Sequence, residues 1–101
     1  MSELNEAHEA YGLGHKIAKE KLNKNFIAKF LSGLGIVAFS EGRLEEARVS
    51  FESALEEQGN IKDTFGEGLT LNNLGLLLFQ KNDFPSSIEY FEESIKRSDQ
   101  A

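Results

Sequence analysis

Residues 34–55 read LGIVAFSEGRLEEARVSFESAL and residues 74–95 read LGLLLFQKNDFPSSIEYFEESI, so the second stretch follows the pattern of the first at an offset of forty residues. Part of the pattern also appears once more, forty residues before the first stretch. The recurring sets are Leu4, Leu44 and Phe84; Ala7, Ala47 and Ser87; Tyr11, Phe51 and Phe91; and Gly14, Ala54 and Ser94. Because one such unit cannot bury its apolar face alone, this period predicts repeats that stack on their neighbours.

The composition is that of a small folded domain. The chain has 101 residues, of which 40% are hydrophobic and 28% are charged, and this balance is typical of a globular protein. The longest apolar run, 74–79, is too short to cross a membrane, and the segment beginning Met1-Ser2-Glu3 lacks signal-peptide character. A net charge of -6 argues against nucleic acid and anionic membranes as partners. We therefore expect a cytoplasmic protein that binds other proteins.

Hydrophobic periodicity predicts helices throughout, without strands. Gly42 and Asn82 occupy equivalent places after two of these helices, and both residues tolerate the left-handed conformation that ends a helix. Pro85 suits the first turn of the last helix. We expect five helices: 2–22, 25–41, 44–57, a fourth that Asp63 caps and that ends near Lys81, and a fifth that opens at 83–85.

The second helix and the helix after it carry a family resemblance. It rests on Leu34, Gly35, Ala38, Gly42, Leu44, Ala47, Phe51, Ala54 and Leu55, which together resemble the signature of a tetratricopeptide repeat. The resemblance implies an all-α solenoid of helix-turn-helix units wound as a right-handed superhelix. It divides a single domain into a half repeat, 1–22, and two full repeats, 23–61 and 62–101. The forty-residue period resembles an extended subclass, and we place the additional residues around 59–67.

The forty-residue positions themselves are interpreted as packing. We expect Gly35 to face Ala47, and Gly75 to face Ser87, so that the two helices of each repeat approach closely. The aromatic residues of the pattern would fill the space between layers. Function is therefore expected at residues between these positions.

The family resemblance implies a concave groove lined by the first helix of each repeat and occupied by a peptide or helix. The carried-over groove residues are Lys29, Ser32, Ile36, Phe39 and Ser40 from one helix, and Leu69, Asn72, Asn73, Leu76, Phe79 and Gln80 from the next. Because Gly33, Ile36 and Leu76 stand where family members that hold a chaperone carboxylate need polar or cationic groups, we expect an apolar ligand instead. Partial burial of Phe39 and Phe79 in the core is the alternative, and would leave only scattered exposed apolar residues.

Self-association is the other function left open by the sequence. The apolar stripe of Leu4, Ala7, Tyr11 and Ile17 lacks the helix that would cover it in a complete repeat. The chain could form a homodimer through this stripe or through the apolar groove, or it could be part of a longer array of repeats.

No arrangement of residues indicates catalysis or cofactor binding. His8 and His15 are about 10.5 Å apart along a helix, too far to share a metal ion without further ligands. The glycine pairs lack the lysine and serine of a phosphate-binding loop, and the adjacent glutamates do not converge on one substrate. We expect a non-enzymatic protein without metal or cofactor.

Overall fold

The computed structural model describes the backbone of residues 12–101 and the side chains of residue 20 and of residues 22–101. This part of the chain contains helices and no strand, which confirms the all-α prediction. The helices are α1 (Gly12–Ser40), α2 (Leu44–Asn60), α3 (Thr64–Gln80) and α4 (Phe84–Gln100).

The three turns between the helices are copies of one another at intervals of twenty residues. Each contains one residue in the left-handed region: Gly42 with φ 79°, Lys62 with φ 58° and Asn82 with φ 65°. The side chains of Asp63 and Asp83 cap the helices that follow by accepting from the backbone N–H groups three residues later. Helices α2, α3 and α4 have 17 residues each, so the extended period lies in longer helices rather than in a longer connection.

The structure differs from the predicted boundary between residues 22 and 25, because α1 continues through it. The twenty-residue spacing would place the left-handed position of this turn at Leu22. A left-handed conformation costs leucine roughly 1–2 kcal/mol, whereas leucine favours a helix. Leu22 therefore extends α1, whereas Gly42 and Asn82 tolerate the left-handed conformation at the equivalent turns. Residue propensity does not explain why Lys62 adopts it.

The helices pair in chain order, α1 with α2, α2 with α3, and α3 with α4. The core lies between α1, α2 and α3, and Ala38, Ala47, Phe51, Leu74 and Leu77 form it. Phe51 is only 1% exposed, and its ring lies against the backbone of α1. For Phe51, this arrangement agrees with the predicted packing role; Tyr11 lies outside the described residues.

Two glycines allow the close approach of the paired helices. A Cβ atom on Gly35 would lie 2.5 Å from the Phe51 ring, and one on Gly75 would lie 2.6 Å from the Phe91 ring. The expected proximity of Gly75 and Ser87 is present, since the Ser87 hydroxyl donates to the Gly75 carbonyl oxygen at 2.8 Å. In each repeat, only a glycine fits at this position, because a Cβ atom would overlap with the aromatic ring of the paired helix.

Buried hydroxyl groups in the second repeat all have hydrogen-bond partners. The Ser94 hydroxyl donates to the Gly68 carbonyl oxygen at 2.7 Å, and Thr70 Oγ1 donates to Gln58 Oε1 at 2.8 Å across the α2–α3 contact. Because buried polar groups are costly without partners, these bonds explain how serine replaces alanine here.

Candidate functional site

An apolar groove runs between α1 and α3, the first helices of the two repeats. One part of this groove is a cavity of about 150 Å³. Ile36, Phe39 and Ser40 form the α1 wall, Asn73 and Leu76 form the α3 wall, and Phe51 of α2 forms the floor. No ionisable side chain lines this cavity, so it suits an apolar group.

A second cavity of about 470 Å³ continues the groove towards the end of α3. Phe39 and Leu76 line both cavities, and Phe79, Gln80 and Asn82 complete the second one. We call the two cavities together the apolar groove. Because Phe39 and Leu76 line both cavities, one extended ligand can contact both of them.

The structure brings together seven of the eleven groove residues predicted from the sequence. The predicted residues that line the apolar groove are Ile36, Phe39, Ser40, Asn73, Leu76, Phe79 and Gln80. The other four do not line either cavity: Lys29, Leu69 and Asn72 are exposed elsewhere on α1 and α3, and Ser32 is half-buried.

Two residues that line the groove, Phe51 and Asn82, are not among the binding residues predicted from the sequence. The sequence predicts a packing role for Phe51, and Phe51 does pack in the core. One side of its ring also forms the floor of the cavity. The sequence places Asn82 in a turn, and Asn82 does form part of that turn. It also lines the second cavity of the groove. Only the relative placement of three helices could show that these residues have a second contact.

The exposed fractions separate the two interpretations of the apolar residues. Ile36 is 53% exposed, Leu76 45% and Phe79 57%, so none of these three side chains belongs to the core. Phe39 is half-buried against the core. Phe79 makes an edge-to-face contact with Phe84 at a centroid distance of 5.3 Å, which fixes its ring at the groove rim.

Comparison with known families completes the assignment. A family model described as tetratricopeptide repeat matches residues 26–100, which is most of the chain. The chain belongs to the tetratricopeptide repeat family. No curated protein and no solved structure matches its sequence. Tetratricopeptide repeats are protein-protein interaction units that bind proteins or peptides, and the family is non-catalytic.

A charged face of this tetratricopeptide repeat protein, on α2 and at the end of α3, consists of Glu45, Arg48, Glu52 and Lys81. Arg48 binds Glu45 at 2.7 Å and Glu52 at 2.5 Å, and Lys81, directly after α3, binds Glu45 at 3.1 Å. Hydrogen bonds from Arg48 and then Lys81 lower the pKa of Glu45 from 4.5 to about 2. None of the residues of the charged face lines the apolar groove.

Several sequence predictions for the tetratricopeptide repeat protein concern residues or side chains that the structure does not describe. Leu4, Ala7 and Tyr11 lie outside the described residues, as does the side chain of Ile17. Among the side chains that the structure describes, no group of three histidine or carboxylate residues is arranged to hold a metal ion. None of the helices that the structure describes is long and apolar enough to span a membrane.

Proposed function

We propose that this protein is an adaptor whose apolar groove binds an apolar peptide or one face of an amphipathic helix. The observation that carries the proposal is the exposure of Ile36, Leu76 and Phe79 along one continuous, uncharged groove. Exposed apolar surface arranged in a groove is typical of a docking site for another chain.

The chemistry of the groove defines the ligand further. Apolar anchor side chains fit against Phe39 and Leu76, which both cavities share. Asn73 is half-buried in the wall, and its amide can donate to a carbonyl oxygen of the ligand backbone and accept from an N–H group. We infer that the apolar anchors provide the affinity and that Asn73 sets the direction of the bound chain.

A display library of random peptides tests the groove directly. We expect the wild-type protein to select peptides with apolar anchors, and Leu76→Glu to lose them, because binding would bury an unpaired carboxylate. Val49→Glu is the matched control, since Val49 is 57% exposed on α2 and lines no part of the groove. Equal binding of the selected peptides by Leu76→Glu would refute the proposal, provided that circular dichroism shows equal helicity.

Self-association through the same groove is the second candidate function, and the same exposed side chains support it. It requires that Leu76→Glu converts an oligomer into a monomer in light scattering, whereas Val49→Glu has no effect. An oligomer that persists in Leu76→Glu excludes the groove as the contact between copies.

Location and cellular role form part of the proposal as well. Tetratricopeptide repeat proteins are commonly intracellular, and we infer a cytoplasmic scaffold in signalling. Identification of the native partner, by capture on the wild-type protein and not on Leu76→Glu, tests this inference. A captured partner that is secreted or enzymatically processed outside the cytoplasm would overturn it.

A further inference from the structure

One face of α1 exposes four apolar side chains whose counterparts in the next repeat are buried. Phe26 is 69% exposed, Phe30 56%, Leu34 45% and Val37 50%. Forty residues later, the equivalent positions on α3 are buried: Gly66, Thr70, Leu74 and Leu77. We call the four α1 residues the leading face. Within the part of the chain that the structure describes, no helix covers α1 as α2 covers α3.

Helix α2 is the element that buries these positions on α3. Leu74 and Leu77 pack with Ala47 and Phe51 in the core. Thr70 Oγ1 donates to Gln58 Oε1 at 2.8 Å, and a Cβ atom on Gly66 would lie 3.0 Å from Gln58 Nε2. A helix placed as α2 is placed on α3 would therefore cover the leading face.

Helix α4 exposes the complementary surface. Leu44 and Leu55 of α2 pack partly buried against the core, and their equivalents on α4 are Phe84, 46% exposed, and Ile95, 62% exposed. Ile88, which stands where α2 has Arg48, adds another apolar side chain that is 55% exposed. We call Phe84, Ile88 and Ile95 the trailing face.

The described part of the chain does not cover its own leading face. A helix folding back onto it would need a turn at 21–23, equivalent to the turn at 61–63, but α1 is helical through these residues. The residues of α1 before Leu22 therefore continue along the helix axis instead of lying beside Phe26 and Phe30.

We propose that the trailing face of one copy docks on the leading face of a second copy and reproduces the α2–α3 contact between chains. The substitutions at the new contact compensate in size. Where Gln58 meets Thr70 within the chain, Ser98 of one copy would meet Phe30 of the other, so a smaller residue faces a larger one.

The charges of the two helices favour the same pairing. Around the leading face, residues 22–40 of α1 contain two lysines and no carboxylate, a net charge of +2, whereas α4 contains four carboxylates and two cations, a net charge of -2. Opposite charges promote the encounter of two surfaces and disfavour the α1–α1 pairing of a symmetric dimer. A contact between two different faces of identical chains is heterologous, so it can continue from copy to copy.

Two charge substitutions test this arrangement by light scattering and sedimentation of the full chain. The wild type should associate in a concentration-dependent manner. Phe30→Glu on the leading face and Ile95→Glu on the trailing face should each weaken association at least about tenfold, because docking would bury an unpaired carboxylate. Val49→Glu and Leu76→Glu should associate like the wild type, which distinguishes these faces from the apolar groove.

Mixing the two variants gives the decisive result. Phe30→Glu retains a trailing face and Ile95→Glu retains a leading face, so an equimolar mixture should form a heterodimer and nothing larger. A monomeric wild type at high micromolar concentration would overturn the proposal. Association sensitive to Phe30→Glu but not to Ile95→Glu would also overturn it, because a symmetric α1 contact or the chain's own N-terminal residues would then cover the leading face.

Discussion

Gly35→Ala tests the close approach of α1 and α2 on which the fold depends. The new methyl carbon would lie 2.5 Å from Phe51 Cε1 and 2.6 Å from Cδ1. Real Cβ contacts are never this short, so the ring or the helix must move. The Phe51 ring is only 1% exposed and packs in the core with Ala47 and Leu74, so any movement of the ring disturbs that packing.

The magnitude follows from two opposing effects. Overpacking costs roughly 1–3 kcal/mol, while replacing a helical glycine with alanine gains about 1 kcal/mol, so we expect a net loss of about 1 kcal/mol in the free energy of unfolding. Gly33→Ala is the matched control two residues away in the same helix, where a Cβ atom meets nothing within 4 Å. It should stabilise the protein by about 1 kcal/mol.

Thermal unfolding followed by circular dichroism measures both variants. A difference of about 2 kcal/mol corresponds to melting midpoints roughly 8–16 °C apart for a domain of this size, with Gly35→Ala the lower. Adding Phe51→Leu should cost less in Gly35→Ala than in the wild type, because the smaller side chain leaves room for the methyl group. Equal stability of the two alanine variants would refute the close contact between Gly35 and Phe51.

Three further predictions concern the α2–α3 contact, the charged face and the unbroken first helix. Thr70→Val should destabilise the protein by about 1–3 kcal/mol in chemical denaturation, because it leaves the buried Gln58 oxygen without a donor. The pKa of Glu45 is lowered from 4.5 to about 2, so its ion pair stabilises the fold above pH 4.5, and this contribution is lost as the pH falls towards 2. The wild type should therefore melt at a higher temperature than Glu45→Gln above pH 4.5. This difference in melting midpoint should disappear as the pH falls towards 2. Leu22→Gly should weaken α1 at the missing turn, which NMR secondary shifts at 21–23 would report as reduced helicity there.

The apolar groove shows how far sequence reasoning reaches. The resemblance implied that the first helix of each repeat lines a groove, and Ile36, Phe39 and Leu76 do lie together there. Lys29 and Leu69 occupy equivalent positions but line neither cavity. Helical spacing defines a face only to within about one residue per turn, whereas a cavity depends on which side chains of two separate helices meet.

The leading and trailing faces were also beyond sequence reasoning. The pattern alone presents Leu34 and Leu74 as equivalent positions, yet one is 45% exposed and the other 1%. Burial of a repeat position depends on the neighbouring repeat, which the position's own sequence does not specify. Only the packed helices show where that neighbour is absent.

The sequence by itself determined the repeat, its forty-residue period, the all-α fold and the family, because these depend on local periodicity and on residues such as Gly42 and Asn82 that end helices. The tertiary structure decided that α1 continues through Leu22, that Phe51 forms the floor of the apolar groove, and which apolar faces remain uncovered. The physical reason is that helix formation depends on neighbours along the chain, whereas burial depends on neighbours in space.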